Sequence, residues 1–273
     1  MLTGRTRLAG VVGWPVAHSR SPLLHNHWLA RYGIDGAYVP LPVAPAALET
    51  ALRGLQAAGF AGVNVTVPHK QAAALLCDSL DAAAAMTSSA NTLVFAPDGG
   101  IVGSSSDGAG FIASLRAAGI DPCAGPALLL GAGGAASAIA AALLACGVAV
   151  TVANRTTARS EALARALPGV TLAAWQDWPS RLADAALLVN ATSLGMAGQA
   201  PLEADLSRAQ HRLTVADIVY APRETALLAA ARARGLPTIE GIGMLLHQAA
   251  PGFAAWFGVV PDCDDEMVAL LAT

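Results

Sequence analysis

The chain has 273 residues, of which 55% are hydrophobic and 13% charged, and a formal net charge of −3. That length points to two domains, and that apolar content excludes a disordered chain. Lysines and arginines are scattered, which argues against nucleic acid as a main partner, since phosphate-backbone binding needs a concentrated basic surface. Cys77, Cys123, Cys146 and Cys263 lie far apart and form no CxxC pair, the pattern of reduced thiols in a cytoplasmic protein. The opening MLTGRTRLAGVVGWP has no apolar stretch long enough for a signal peptide.

In chain order, Leu8 to Gly13 reads as a strand, and Ser21 to Tyr32 as a helix with Pro22 in its first turn, where the missing N–H is no loss. Ala37 to Val43 reads as a strand and Pro45 to Ala58 as a helix stopped by Gly59. Gly62 to Val67 alternates with period two and is ended by Pro68. Asn91 to Ala96 is a further strand before the turn Pro97-Asp98-Gly99-Gly100. Helix and strand therefore alternate in α/β style.

A second unit begins near Asp107. A helix from Gly108 to Ala118 leads to a strand at Ala127 to Leu130, a glycine turn, a helix to Cys146 and a strand at Val148 to Ala153. Later strands are expected at Ala186 to Asn190 and Val215 to Ile218, and a final helix, Met244 to Phe257, returns to pack on the first unit. No charge falls between Ala127 and Ala153, so hydropathy alone suggests a membrane span. The glycines at 131, 133, 134 and 147 break that span into strand, helix and strand, and parallel strands buried on both faces read as apolar runs. No membrane partner is expected.

Gly131-Ala132-Gly133-Gly134-Ala135-Ala136 matches GxGxxA, follows a strand and opens a helix. Gly131 permits a tight turn, Gly133 lets the backbone approach a pyrophosphate, and the helix N-terminus offers free N–H groups to it. Small residues that merely let helix and strand pack would look alike, but the βαβ setting favours a dinucleotide. After the next strand comes Asn154-Arg155-Thr156, with Arg159 one turn on and no acid before Glu161. A carboxylate here would bond the ribose 2′-hydroxyl of NAD; arginines and neutral donors instead suit the 2′-phosphate of NADP. Farther on, Thr192 and Ser193 follow a strand where a nicotinamide pocket is expected, although an ordinary capping turn has the same appearance.

The N-terminal half carries polar residues that a simple core would not want. Ser19 and Ser21 stand at a loop-to-helix junction, where one of them is expected as an N-cap. Asn64 and Thr66 share a strand face, with Lys70 just past the strand. Asn91 and Asp107 end or begin elements, as capping residues do. His18, His25 and His27 have no carboxylate at ligand spacing and His25 and His27 face apart on a helix, so no metal is expected and structural or rim roles are favoured.

Taken together, GWPVAHSRSPLLHN, NVTVPHK, ANT at 90–92, SDGAGF from 106, GAGGAA, NRTTAR, NATSLGM from 190, DIVYAPRETALL from 217 and GIGMLLHQ from 241 resemble the shikimate dehydrogenase family over nearly the whole chain. NVTVPHK and the His-Ser-x-Ser-Pro segment are the most specific of these. The resemblance implies reversible reduction of 3-dehydroshikimate to shikimate with NADPH. It implies a substrate domain over 1–106, completed by helices in 241–273, and a Rossmann-type doubly wound parallel-sheet domain over 107–240, with the active site in the cleft between them. It makes Lys70 and Asp107 the catalytic pair: an ammonium donates to the alkoxide left by hydride delivery, and the carboxylate orients it. Ser19, Ser21, Asn64, Thr66, Asn91, Tyr220 and Gln248 would hold the substrate carboxylate and hydroxyls. Gly131 to Ala135, Asn154 to Thr156, Arg159, Thr192, Ser193, Gly241 and Met244 would hold the cofactor.

The chain departs from the family's usual residues at Ser105 and Ser106, where Asn-Thr commonly precedes Asp-Gly, and at Ser88, where glycine is usual. Alternatives follow from these departures: a relative acting on quinate, one using NAD, or a non-catalytic ligand sensor, against which the intact Lys70 and Asp107 speak. A monomer and a homodimer are equally compatible with the sequence.

Overall fold

A computed structural model describes residues 2–272. It divides into two compact units, one running to Ser106 and resuming at Gln248, the other comprising Asp107–His247.

The first unit contains β1 (Arg7–Gly13), α1 (Ser21–Arg31), β2 (Gly36–Pro42), α2 (Leu48–Ala57), β3 (Gly62–Val65), α3 (Lys70–Leu75), β4 (Ser79–Leu80), α4 (Ala82–Thr87), β5 (Thr92–Phe95) and β6 (Ile101–Ser104). The strands form one six-stranded sheet in the order β2-β1-β3-β5-β6-β4. β1 pairs in parallel with β2 and β3, whereas β5 runs antiparallel to both β3 and β6. Two expected elements are shorter than the sequence pattern suggests. Pro45–Ala47 form a separate 3-10 turn before α2, because the proline ring fixes a tight entry and withholds an N–H. β3 stops at Val65, and Thr66 and Val67 belong to a turn that the His69 N–H closes on the Thr66 carbonyl at 2.9 Å.

The second unit holds α5 (Asp107–Ala117), β7 (Ala127–Leu130), α6 (Gly134–Ala145), β8 (Val150–Ala153), α7 (Thr157–Ala166), β9 (Val170–Ala173), β10 (Leu187–Asn190), β11 (Thr214–Asp217), α8 (Ala226–Ala233) and β12 (Thr238–Ile239). All its strand pairs are parallel, in the order β12-β11-β10-β7-β8-β9. The chain thus starts in the middle, moves to one edge, then crosses to the other, the doubly wound Rossmann arrangement. Alternate residues of β7 explain why it is apolar throughout. Ala127 and Leu129 pack with Phe111, Ile139 and Leu143 on one face, while Leu128 and Leu130 pack with Trp178, Leu182 and Leu227 on the other. The charge-free run is therefore strand, helix and strand, and no helix among the described residues is long and apolar enough to cross a membrane. β8 begins at Val150, two residues later than the pattern suggests. Gly147 lies at φ +77°, and the Val148 N–H bonds back to Leu143 at 3.1 Å, so both belong to the turn that ends α6.

Helix α9 (Gly241–Phe257) begins three residues before the expected Met244 and contributes its residues from Gln248 onward to the first unit, as does α10 (Asp265–Ala272). There Phe253 and Trp256 gather around His25, Trp28 and Tyr38. The Trp256 indole N–H donates to the Leu93 carbonyl at 3.0 Å. Gly62 makes room for it: a Cβ at that position would lie 2.2 Å from the indole nitrogen.

Candidate functional site

Strand direction alone brings the candidate residues of the first unit to one edge of its sheet. β1 and β3 are parallel and end there at Gly13 and Val65; β5, antiparallel, starts there at Thr92; β6 ends there at Ser104. The segments beyond these ends carry Ser19 and Ser21, Thr66 and Lys70, Asn91, and Ser105 and Ser106. Loops past the carboxyl ends of parallel strands are where open α/β sheets bind ligands.

Backbone bonds hold these segments in register. The Val65 N–H donates to the Asn91 carbonyl at 2.8 Å, and the Ala90 N–H donates to the Lys70 carbonyl at 3.0 Å. Lys70, half-buried, opens α3 and does not sit on a free strand end. Asn91 is 2% exposed, and its amide nitrogen donates to the Ser106 hydroxyl at 3.0 Å and to the Gln248 side-chain oxygen at 3.1 Å. The Ser106 hydroxyl donates to the Gln248 carbonyl at 2.7 Å. Serine at 106 thus keeps the hydroxyl of the usual threonine and uses it to tie Asn91 to Gln248.

Three expectations are corrected. The cap position of α1 is Arg20, with no side-chain cap bond; Ser19 instead accepts from the Ser21 N–H at 3.3 Å. Thr66 lies one residue past the end of β3, its N–H donating to the Val12 carbonyl at 2.9 Å, so only Asn64 of the two belongs to the strand. Asn64 is buried with its amide committed within the protein: the nitrogen donates to the Asn91 carbonyl and the Thr92 hydroxyl, each at 3.1 Å, and the oxygen accepts from the Tyr38 hydroxyl at 2.6 Å. It supports Asn91 from below and has no remaining N–H for a ligand. Burial holds the Tyr38 phenol well above its ordinary range. Ser88 stands in left-handed backbone at φ +48°, the conformation for which glycine is the natural residue.

In the second unit, the turn after β7 has the geometry a dinucleotide needs. Gly131 lies at φ +120°, and a Cβ there would sit 2.7 Å from the Ala191 carbonyl. At Gly133 a Cβ would meet no protein atom within 4 Å, so the space beside that backbone is open. Ala136 is fully buried against the sheet. This turn lies between β7 and β10, where the winding of the sheet reverses and crevices form. Arg155 and Arg159 are exposed after β8, and the Asn154 amide donates to the Thr156 carbonyl at 2.8 Å, shaping the loop that presents them. This cationic, acid-free loop fits the 2′-phosphate of NADP.

Asn190 and Asp217, which the sequence reading passed over, organise the neighbouring loops. Asn190 donates to Asp217 at 3.0 Å and accepts from the Thr192 hydroxyl at 2.7 Å. Asp217 also accepts from the Val219 N–H at 3.0 Å and the Thr225 hydroxyl at 2.7 Å. Burial raises its carboxyl above the ordinary aspartate value, and the three hydrogen bonds oppose the rise. Their signal in the sequence is a polar residue closing each of two apolar strands. The Thr192 hydroxyl also accepts from the Leu194 N–H at 3.0 Å, so it builds the loop, while Ser193 is exposed on it. Tyr220, half-buried, follows β11. Met244 is buried in the core of the second unit, and Gly241 is packed against Ile218. Asp107 opens α5 and is 4% exposed.

The chain matches the family model described as the shikimate dehydrogenase substrate binding domain over residues 11–93, and that described as shikimate / quinate 5-dehydrogenase over residues 123–227. Shikimate dehydrogenase (NADP(+)) of Acidiphilium cryptum is 58% identical over 272 residues, covering 100% of this chain and 98% of that protein. Among solved structures, shikimate 5-dehydrogenase of Thermus thermophilus in complex with NADP(H) and shikimate is 35% identical with a TM-score of 0.89, covering 97% of this chain and 98% of that one. Quinate dehydrogenase of Corynebacterium glutamicum in complex with NAD is 31% identical with the same TM-score of 0.89, again over 97% and 98% of the two chains. The chain belongs to the shikimate dehydrogenase family.

Proposed function

We infer that this chain is an NADP-dependent oxidoreductase that interconverts 3-dehydroshikimate and shikimate. The observation that carries this reading is full-length identity of 58% to an NADP-dependent shikimate dehydrogenase. The polar edge of the first unit and the cationic loop of the second are the chemistry that such a substrate and cofactor require.

NADPH supplies the hydride. We assign the proton to the Lys70 ammonium, which neutralises the oxygen that gains charge as the ketone is reduced and takes the proton back in the reverse direction. Asp107 is assigned as the carboxylate that orients the same hydroxyl. Asn91 and Gln248, fixed to each other at 3.1 Å, are assigned to the ring hydroxyls. Ser19, Ser21 and Thr66 complete a neutral set suited to a carboxylate and hydroxyls, and Tyr220 is assigned nearby. Such a set rejects analogues lacking a hydroxyl, because its buried groups are then left unpaired. Four free cysteines support a cytoplasmic setting.

Initial rates with shikimate and quinate, each with NADP and NAD, test this reading. Shikimate with NADP is expected to give the highest kcat/KM; a preference for quinate with NAD overturns the assignment. In the same assay Lys70→Ala is expected to lower kcat by about 10²–10⁴ while shikimate still binds; an unchanged kcat removes the mechanism.

A further inference from the structure

Two groups of the substrate contacts assigned above lie in the first unit: serines at the start of α1, and Asn91 with its neighbours at the start of β5. One side chain connects the two. Tyr38, on β2, is 2% exposed, and its hydroxyl donates to the Asn64 oxygen at 2.6 Å. Asn64 in turn donates to the Asn91 carbonyl and the Thr92 hydroxyl, each at 3.1 Å.

Everything else about Tyr38 is immobilised. Asn26, on α1, accepts from the Tyr38 N–H at 3.0 Å and donates to its carbonyl at 2.7 Å, the pairing of a short β-ladder made by a side chain. The His25 ring stacks on the phenol at a centroid separation of 4.0 Å and an interplanar angle of 2°. Backbone, ring and hydroxyl are therefore each held by a different group.

We propose that Tyr38 is a positioning residue for substrate: gripped by Asn26 and His25 of α1, it holds Asn64 through its hydroxyl and so fixes the spacing between the serine arm at the start of α1 and the Asn91 arm of the site. This rests on the shikimate reading given above. Without the hydroxyl, the buried Asn64 oxygen loses its donor, and the amide that supports the Asn91 carbonyl is held from one side only. The consequence falls on substrate affinity, because the cofactor-binding turn belongs to the other unit.

The test is steady-state kinetics of Tyr38→Phe, Asn64→Ala and the double variant in the full chain, with melting temperatures recorded. Tyr38→Phe keeps the ring on His25 and is expected to raise KM for shikimate about tenfold, leave KM for NADP within about twofold, and melt close to the parent. The double variant is expected to be less impaired than the product of the single effects. Should Tyr38→Phe fail to fold, Asn64→Ala removes the acceptor of the same hydroxyl and is expected to show the same split. An unchanged KM for shikimate, equal rises in both KM values, or strictly multiplicative effects overturn the proposal while leaving the shikimate reading intact. A parent protein inactive with shikimate removes both.

Discussion

At the scale of single residues, His25 has no obvious place in a soluble core. It is fully buried, and neither ring nitrogen has a hydrogen-bond partner. Burial pushes its pKa down from 6.5 to about 3, so the folded chain holds it neutral. Between those values the unfolded chain binds a proton that the folded one refuses. Stability from this group is therefore complete above pH 6.5 and declines as the pH falls toward 3. Urea unfolding at pH 7 and pH 5 is expected to show a loss of up to about 1.4 kcal/mol per pH unit from this ring, and His25→Leu is expected to lack that increment. An identical pH slope in the two proteins contradicts the argument. Ser88 is a different liability, an L-residue at φ +48° on the exposed end of α4. Ser88→Gly is expected to stabilise by about 0.5–1 kcal/mol, relief of left-handed strain set against the extra freedom of glycine when unfolded. A lower melting temperature contradicts it. Lys70, Asp107 and Asn91 were legible because short, specific motifs surround them. Asn64 stood out with them inside NVTVPHK, but Tyr38 did not, since a tyrosine in a strand looks like an ordinary sheet residue until its partner on another strand is known.

At the scale of elements, the glycine turn after β7 separates folding from binding within three residues. Gly131 combines φ +120° with an approach of 2.7 Å to the Ala191 carbonyl, so a methyl there collides with backbone. Gly131→Ala is expected to destabilise by about 1–3 kcal/mol and to weaken NADP binding as the turn opens. Gly133 has φ −92° at the cap of α6 and empty space beyond it. Gly133→Ala is expected to leave the melting temperature unchanged while raising the Kd for NADP about tenfold or more, because the methyl occupies the approach to the pyrophosphate. Calorimetric titration with NADP beside thermal melts checks both, and equal behaviour of the two variants contradicts the assignment. The strands most legible in the sequence, β7 and β8, are buried on both faces and carry long apolar runs. β4 and β12 have two residues each, too few to show a period, and β9 is a partly exposed edge strand of VTLA. Their strand character comes from pairing with neighbours distant in sequence, which no local pattern records.

At the scale of the whole molecule, the two-unit organisation was legible because helix and strand alternate twice in different styles, mixed in the first half and wholly parallel in the second. The C-terminal return was legible in outline only. Its apolar helix was evident, but α9 begins in one unit at Gly241 and finishes in the other. A continuous helix shows no seam in its own sequence.

One feature of the first sheet has an evolutionary consequence. Ser19, Thr66, Asn91 and Ser106 lie in segments outside the paired positions of the strands, and Ser21 and Lys70 open the helices that follow, so the ladder itself makes no use of their side chains. Exchanging Ser19 or Thr66, both only partly buried, leaves the ladder undisturbed, and drift at these addresses can retarget the enzyme to another ring acid without passing through an unfolded ancestor. The positions to watch in such diversification are the tethered ones: Asn91 and Ser106 hold Gln248 in place, so they are expected to change together or remain as they are.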